Sequence, residues 1–422
     1  MKTTMARFPN VSATTSSLSY RIFFRAIAER LKSHTGDLYA LNVGDTWREP
    51  LPRAQAEAQR TDAHPHLHRY APVQGEPALL DAIIARVQRR TGVTLERGAV
   101  QVVSGATSGL SVVVQTLLDP GDEVLLPAPY WPLIRGVIAS RGATPIQLPM
   151  LETLAEAHRA DACFDLEAVF EAAVTPRTAA IYLNSPNNPT GVILTDAELA
   201  AVGRVAERHD LWILCDEVYE DLWLATPEHG PEEVNAPRPA WLHPSITERA
   251  IVVHSLSKAY GLAGARIGYL HGPPDVVEEI RSVQAFQVYC AAKPMSLGAA
   301  NALNEGDSWL ETTRRYYSEA AVTASKILGL PCPPGGTFLF FDATPYVAPG
   351  EDATPFLLKC VDAGVALTPG IASGDAYANW VRLCFSSLPP AELEEALHRV
   401  RGVMDACIAE HGTGAADAHS NV

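Results

Sequence analysis

Apolar residues along this chain fall into two rhythms. Short, nearly unbroken runs at residues 100–103, 123–126, 179–183, 211–215 and 250–254 have the length of buried strands, and residues 267–270 add another. Residues 20–31, 77–90, 110–118 and 165–173 instead space their apolar side chains three and four apart, which predicts helices. Several strands run directly into polar, Gly- and Ser-rich loops, the position where α/β proteins usually carry their chemistry. From about residue 300 the pattern changes to a helix over 307–330, strands over 335–341 and 380–386, and helices over 355–362 and 390–409. Within 380–386, Arg382 shares a strand face with Trp380 and Cys384, while Val381, Leu383 and Phe385 point the other way. Residues 151–164 read as a local insertion without an assigned role, residues 1–20 as a polar arm, and 411–422 as a disordered tail.

Composition narrows the class. With 422 residues and 47% hydrophobic content the chain can bury a large core and form a large domain plus a smaller one. We divide it into 1–60 (arm and part of the small domain), 61–300 (large domain), 301–410 (small domain) and the tail. A net charge of −15 argues against nucleic acid or an anionic membrane as partner. The odd count of seven cysteines, none in a CxxC pair, fits a reduced, cytoplasmic protein. Residues 1–20 lack an apolar signal core, and no run approaches the about 18–20 apolar residues of a membrane span. His64, His66 and His68 alternate as metal ligands can, but no second ligand pair accompanies them, so no metal is expected and they are read as polar groups on an extended edge.

The chemistry concentrates in the run Ser255-Leu256-Ser257-Lys258-Ala259-Tyr260-Gly261-Leu262-Ala263-Gly264-Ala265-Arg266. Lys258 is the one lysine between Lys32 and Lys293 in a chain with 27 arginines, so an interchangeable surface cation describes it poorly. Small residues around it and an arginine eight positions on suggest an anion site beside an amine, and an amine desolvated near other cations becomes a usable nucleophile. Further loops follow the same logic. Ser104-Gly105-Ala106-Thr107 opens a helix whose N–H groups can meet a phosphate. Tyr130 and Trp131 offer aromatic faces, and Asn188-Pro189-Thr190-Gly191 presents an amide on a stiff turn. Asp216 ends an apolar strand, where a carboxylate is costly unless paired.

The segment SLSKAYGLAGARIGY, together with NNPTG and the other loops in their order, resembles the fold-type-I pyridoxal-phosphate (PLP) enzymes, in particular the class I/II aminotransferase family, over essentially residues 38–402. The resemblance implies an α/β fold with a mixed, mostly parallel seven-stranded sheet between helices, plus a smaller α+β domain. It also implies roles. Lys258 would hold the cofactor as an internal aldimine and then act as general base. Ser255, Arg266, Gly105, Ala106 and Thr107 would cup its phosphate, Trp131 would stack on its ring, and Asn188 and Tyr219 would donate to its phenolic oxygen. Asp216 would meet the ring nitrogen, with Glu217 only a structural carboxylate starting a helix. Arg382 would clamp the substrate carboxylate, with Gly44 and Asn188 beside it, and Tyr70 would reach the phosphate of a second subunit in a homodimer.

The expected activity is transfer of an α-amino group between an amino acid and a 2-oxo acid. A PLP-dependent lyase or cyclase, or a non-catalytic PLP-binding regulator, would share the same cofactor residues. Members specific for dicarboxylates carry a further cation, and between Arg281 and Gly298 this chain has Lys293 alone, which lowers aspartate or glutamate as the specific donor. Relatives often place an aromatic near Ser373, so a roomier or more polar side-chain pocket is expected.

Overall fold

The computed structural model describes residues 24–60, 62–225 and 236–416. Within them lie twelve strands: β1 (Tyr39–Ala40), β2 (Val100–Val103), β3 (Glu123–Ala128), β4 (Thr144–Pro149), β5 (Thr178–Asn184), β6 (Trp212–Asp216), β7 (Ala250–Ser255), β8 (Gly268–His271), β9 (Phe338–Asp342), β10 (Val365–Ala366), β11 (Thr368–Pro369) and β12 (Trp380–Cys384). Seven of these form one sheet in the order β2-β8-β7-β6-β5-β3-β4. Its pairings are parallel except at β8, which runs antiparallel to both β2 and β7. The mixed, mostly parallel seven-stranded sheet of an α/β protein is therefore present as expected.

The unbroken apolar runs have a simple cause. Ile181, Leu183, Ile213, Cys215 and Val252 enter one hydrophobic cluster, while Ala180, Tyr182, Leu214, Ile251 and Val253 enter a second. Alternate positions thus face opposite sides, and both sides are covered, so the sequence loses the polar alternation of a half-exposed strand. Helix ends follow local chemistry. Helix Asp196–His209 starts on a capping box between Thr195 and Glu198. Helix Pro77–Thr91 has proline in its first turn and stops at Gly92, whose φ of 78° is left-handed.

A second, antiparallel sheet has the order β11-β12-β9, and the short β1 pairs in parallel with β10. The early chain is thereby tied to the last third, since Cys384 N donates to Leu41 O at 2.8 Å. That tie brings the Asn42–Asp45 turn beside β12.

Four expectations change. The helix expected over 20–31 runs Arg25–Ser33, and its first residues, like the polar arm, lie outside the described residues. Residues 151–164 are no idle insertion: helix Leu151–Arg159 buries Leu151 and Leu154, and Glu152 accepts a hydrogen bond from the Tyr377 hydroxyl. Their L-x-x-L spacing is a core-facing helical stripe. The last helix continues to Ala416, so 411–416 are not a disordered tail. Gly412 and Gly414 weaken a helix by about 1 kcal/mol each without stopping one already propagating. His64, His66 and His68 sit in turns rather than on an extended edge: His66 has a φ of 71°, and the His64 ring bonds to Glu57. Among the described residues no three His, Cys, Asp or Glu side chains gather as metal ligands, and no helix is long and apolar enough to cross a membrane.

Candidate active site

The carboxyl ends of β2, β5, β6 and β7 lie along one edge of the large sheet, and β8 starts at that edge. Register does much of the assembly. Asn184, ending β5, pairs with Asp216, ending β6, and Ser255, ending β7, faces Gly268 at the start of β8. Their loops enclose a cavity of about 130 Å³, several times the roughly 10–15 Å³ that one water requires. Ala106, Thr107, Trp131, Asn188, Asp216, Tyr219, Ser255, Lys258 and Arg266 all line it.

One wall combines a helix N-terminus with an arginine. Helix Ala106–Leu117 begins after Gly105, whose φ of 79° suits glycine, and its first N–H groups have no helical partner. A Cβ on Gly105 would lie 2.5 Å from Nη2 of Arg266, so glycine is what admits the guanidinium. Arg266 itself has a left-handed φ of 53°, donates Nη1 to Ala263 O at 3.1 Å, and forms no ion pair with a carboxylate among the described residues. Ser255 Oγ, in the same wall, accepts from the Ser257 N–H at 3.1 Å.

Another part of the lining carries a buried acid. Asp216 is buried, and burial pushes its carboxyl up to about 6, while the Tyr182 hydroxyl (2.6 Å to Oδ2), the Val218 N–H (3.2 Å to Oδ1) and His254 favour the charged form. Asn184 Nδ2 donates to Asp216 O at 2.8 Å, and its Oδ1 accepts from Asn188 N at 2.7 Å, so one side chain ties two loops together. Asn188 Nδ2 lies 3.5 Å from the Tyr219 hydroxyl.

Lys258 reaches into this space. Its Nζ donates to Gly44 O, and burial lowers its proton affinity, with Arg382 and Arg266 acting the same way and Cys384 and Asp45 opposing. Arg382 is buried on β12, donates to Asn188 Oδ1 at 3.1 Å and Asn42 O at 3.2 Å, and lies over the Phe338 ring at 4.3 Å. The predicted residues from separate segments thus converge, with one exception. Tyr70 is 82% exposed, lies against Tyr289 with ring centroids 5.2 Å apart, and is not part of the cavity lining in its own chain. Glu217 starts no helix: it is buried, accepts from Ala240 N at 2.8 Å, and burial raises it to about 8.

Sequence reasoning missed Tyr182 and Asn184. Their signal was two polar tips at i and i+2 closing an apolar strand, on the face that register turns toward Asp216.

Comparison with known proteins agrees with this geometry. A family model described as aminotransferase class I and II matches residues 37–400. An arginine–pyruvate transaminase of Pseudomonas aeruginosa is 32% identical over 391 residues, covering 90% of this chain and 93% of its own length. An aspartate/prephenate aminotransferase of Thermus thermophilus is 30% identical over 394 residues, covering 92% and 96%. A solved single mutant of Thermus thermophilus aspartate aminotransferase superposes with a TM-score of 0.81 at 27% identity, covering 94% of this chain and all of that one.

Proposed function

The chain belongs to the class I and II aminotransferases, enzymes that move amino groups between amino acids and 2-oxo acids, and we propose that it does so with pyridoxal phosphate held in the Lys258 cavity. The observation that carries this reading is that a buried amine and a buried carboxylic acid line the same cavity, beside a helix N-terminus and an arginine free of carboxylate partners among the described residues. The residues fit the cofactor. Ser255, Arg266 and the start of helix Ala106–Leu117 would hold its phosphate. Trp131 offers a ring face worth about 0.5–1.5 kcal/mol beyond its area. Asn188 and Tyr219 would hold the phenolic oxygen, and Asp216 the ring nitrogen.

When bound, the cofactor supplies a carbonyl that takes up the amino group and a ring that delocalises the electron pair left at Cα. The protein does the rest. Lys258 Nζ, made less basic by burial, moves the proton at Cα as a general base and acid. Arg382 presents a planar fork to the α-carboxylate, and Asn188, which already accepts from it, fixes its rotamer. Asp216 in its charged form would stabilise positive charge on the ring nitrogen.

A homodimer belongs to the same proposal. Tyr70 and Tyr289 form an exposed aromatic pair, and Tyr70 gains a cofactor role when it reaches a second subunit's phosphate. Cytoplasmic location is supported by the seven cysteines, of which Cys215, Cys360, Cys384 and Cys407 are buried.

Purified protein given one amino acid and no acceptor tests the reading. We expect one equivalent of 2-oxo acid per site, followed by a halt that pyruvate relieves. Continuous release of ammonia would point to elimination and overturn it.

A further inference from the structure

Asp216 is held from β5 by a residue that the chemistry above does not use. Tyr182 is 1% exposed, and its hydroxyl donates to Asp216 Oδ2 at 2.6 Å. Register accounts for the contact: Asn184 pairs with Asp216, so Tyr182, two residues earlier on the same strand face, stands diagonally from the carboxylate across the β5–β6 pair. Asn184 locks the backbone of Asp216 through its carbonyl, and Tyr182 locks the side chain.

A carboxylate offers about four lone-pair sites. The Tyr182 hydroxyl and the Val218 N–H take one on each oxygen, which leaves capacity for a further donor from the cavity. Two donors also make the carboxylate a weaker base, because both bonds favour its charged form. A ring nitrogen meeting it therefore competes with an acid whose basicity Tyr182 has already reduced.

We propose that Tyr182 is a positioning residue that sets where the proton between Asp216 and the cofactor's ring nitrogen resides, keeping it on the nitrogen. The inference rests on the reading that Asp216 meets that nitrogen. The other groups facing Asp216 are His254 from β7, Tyr219 and Glu217 in the turn after β6, and its neighbour Cys215. His254 also favours the charged acid but is engaged through Nδ1 by Glu220 at 2.8 Å, and Glu217 by Ala240 N. Tyr182 is the side chain in this set that donates to the Asp216 carboxylate. A proton held on the nitrogen makes the ring a better acceptor of the Cα electron pair, so the tyrosine acts on the reaction without touching substrate.

The test loads Tyr182→Phe, Asp216→Asn and the unmodified protein with cofactor labelled by ¹⁵N in the ring and reads the nitrogen resonance. We expect a pyridinium shift in the unmodified protein and movement toward neutral pyridine in Tyr182→Phe, reflecting a roughly tenfold to hundredfold rise in the proton affinity of Asp216. With it, kcat should fall at unchanged KM. An unmoved resonance in Tyr182→Phe, with Asp216→Asn neutral, overturns the inference and leaves the Asp216 reading standing. A resonance that stays pyridinium in Asp216→Asn overturns both. Should Tyr182→Phe fail to fold, 3-fluorotyrosine in place of Tyr182 strengthens the donor without changing shape. At fixed pH the one-bond ¹⁵N–¹H coupling of the ring nitrogen must then rise as the proton sits more fully on nitrogen, and an unchanged or smaller coupling overturns the inference.

Discussion

In the proposed reading Lys258 has two requirements that conflict in water: it must attack a carbonyl as a neutral amine and stay beside the cofactor's phosphate. Burial resolves the conflict by lowering its proton affinity. Arg382 has a geometric requirement instead. Arg382→Lys should raise KM for the amino acid about 10- to 100-fold with a smaller effect on kcat, because a point cation replaces a fork; steady-state kinetics checks this. Glu217 allows a signed pH prediction. Its folded pKa, about 8, lies above the ordinary 4.5, so between these values the folded chain holds a proton that the unfolded chain has released. Stability contributed by the neutral acid is present below about 4.5 and is lost as pH rises to about 8, at about 1.4 kcal/mol per unit. Glu217→Gln, whose amide oxygen can still accept from Ala240 N, should lose that dependence and exceed the unmodified apoprotein by a few kcal/mol at pH 8 in thermal unfolding. Residues whose chemistry is local were legible in the sequence. Asn188 sits in a Pro-Thr-Gly turn and Lys258 among small residues, and both stand in the cavity. Glu217 and Tyr182 were not legible, because their partners lie across the fold and only strand register brings them together.

The elements make the site by ending together. Buried strands were readable as apolar runs and helices by their period, whereas ends governed by backbone geometry were not. The helix expected from 110 begins at Ala106, because Gly105 turns the chain sharply enough for the first turn to start at the strand exit. Gly105→Ala would place a Cβ 2.5 Å from Arg266 Nη2 at a φ that strains any side chain. We expect cofactor affinity to fall at least about tenfold, at roughly 1.4 kcal/mol, with the fold retained; equilibrium dialysis reads this. Thr195→Ala is the contrast. It removes one capping box from helix Asp196–His209 and should cost about 1 kcal/mol in denaturant unfolding while leaving kcat unchanged.

At the scale of the whole molecule, two sheets meet over the cavity. The large sheet contributes Lys258 and Asp216, and the small one Arg382, which the β1–β10 pairing brings beside Asn42. Tyr70 stands outside this arrangement within one chain, so the role proposed for it requires a second copy. Lys258→Ala mixed with Tyr70→Phe during refolding should regain activity above either variant alone, because one site of the mixed dimer then has native Lys258 and native Tyr70; the rate after mixing measures it. The central claim is that the amine of Lys258 holds the cofactor. Borohydride reduction of the loaded protein, followed by peptide mass spectrometry across its six lysines, tests that most directly. The account predicts cofactor mass on the peptide containing Lys258 and its loss in Lys258→Ala; cofactor mass on another lysine, or on none, would contradict it.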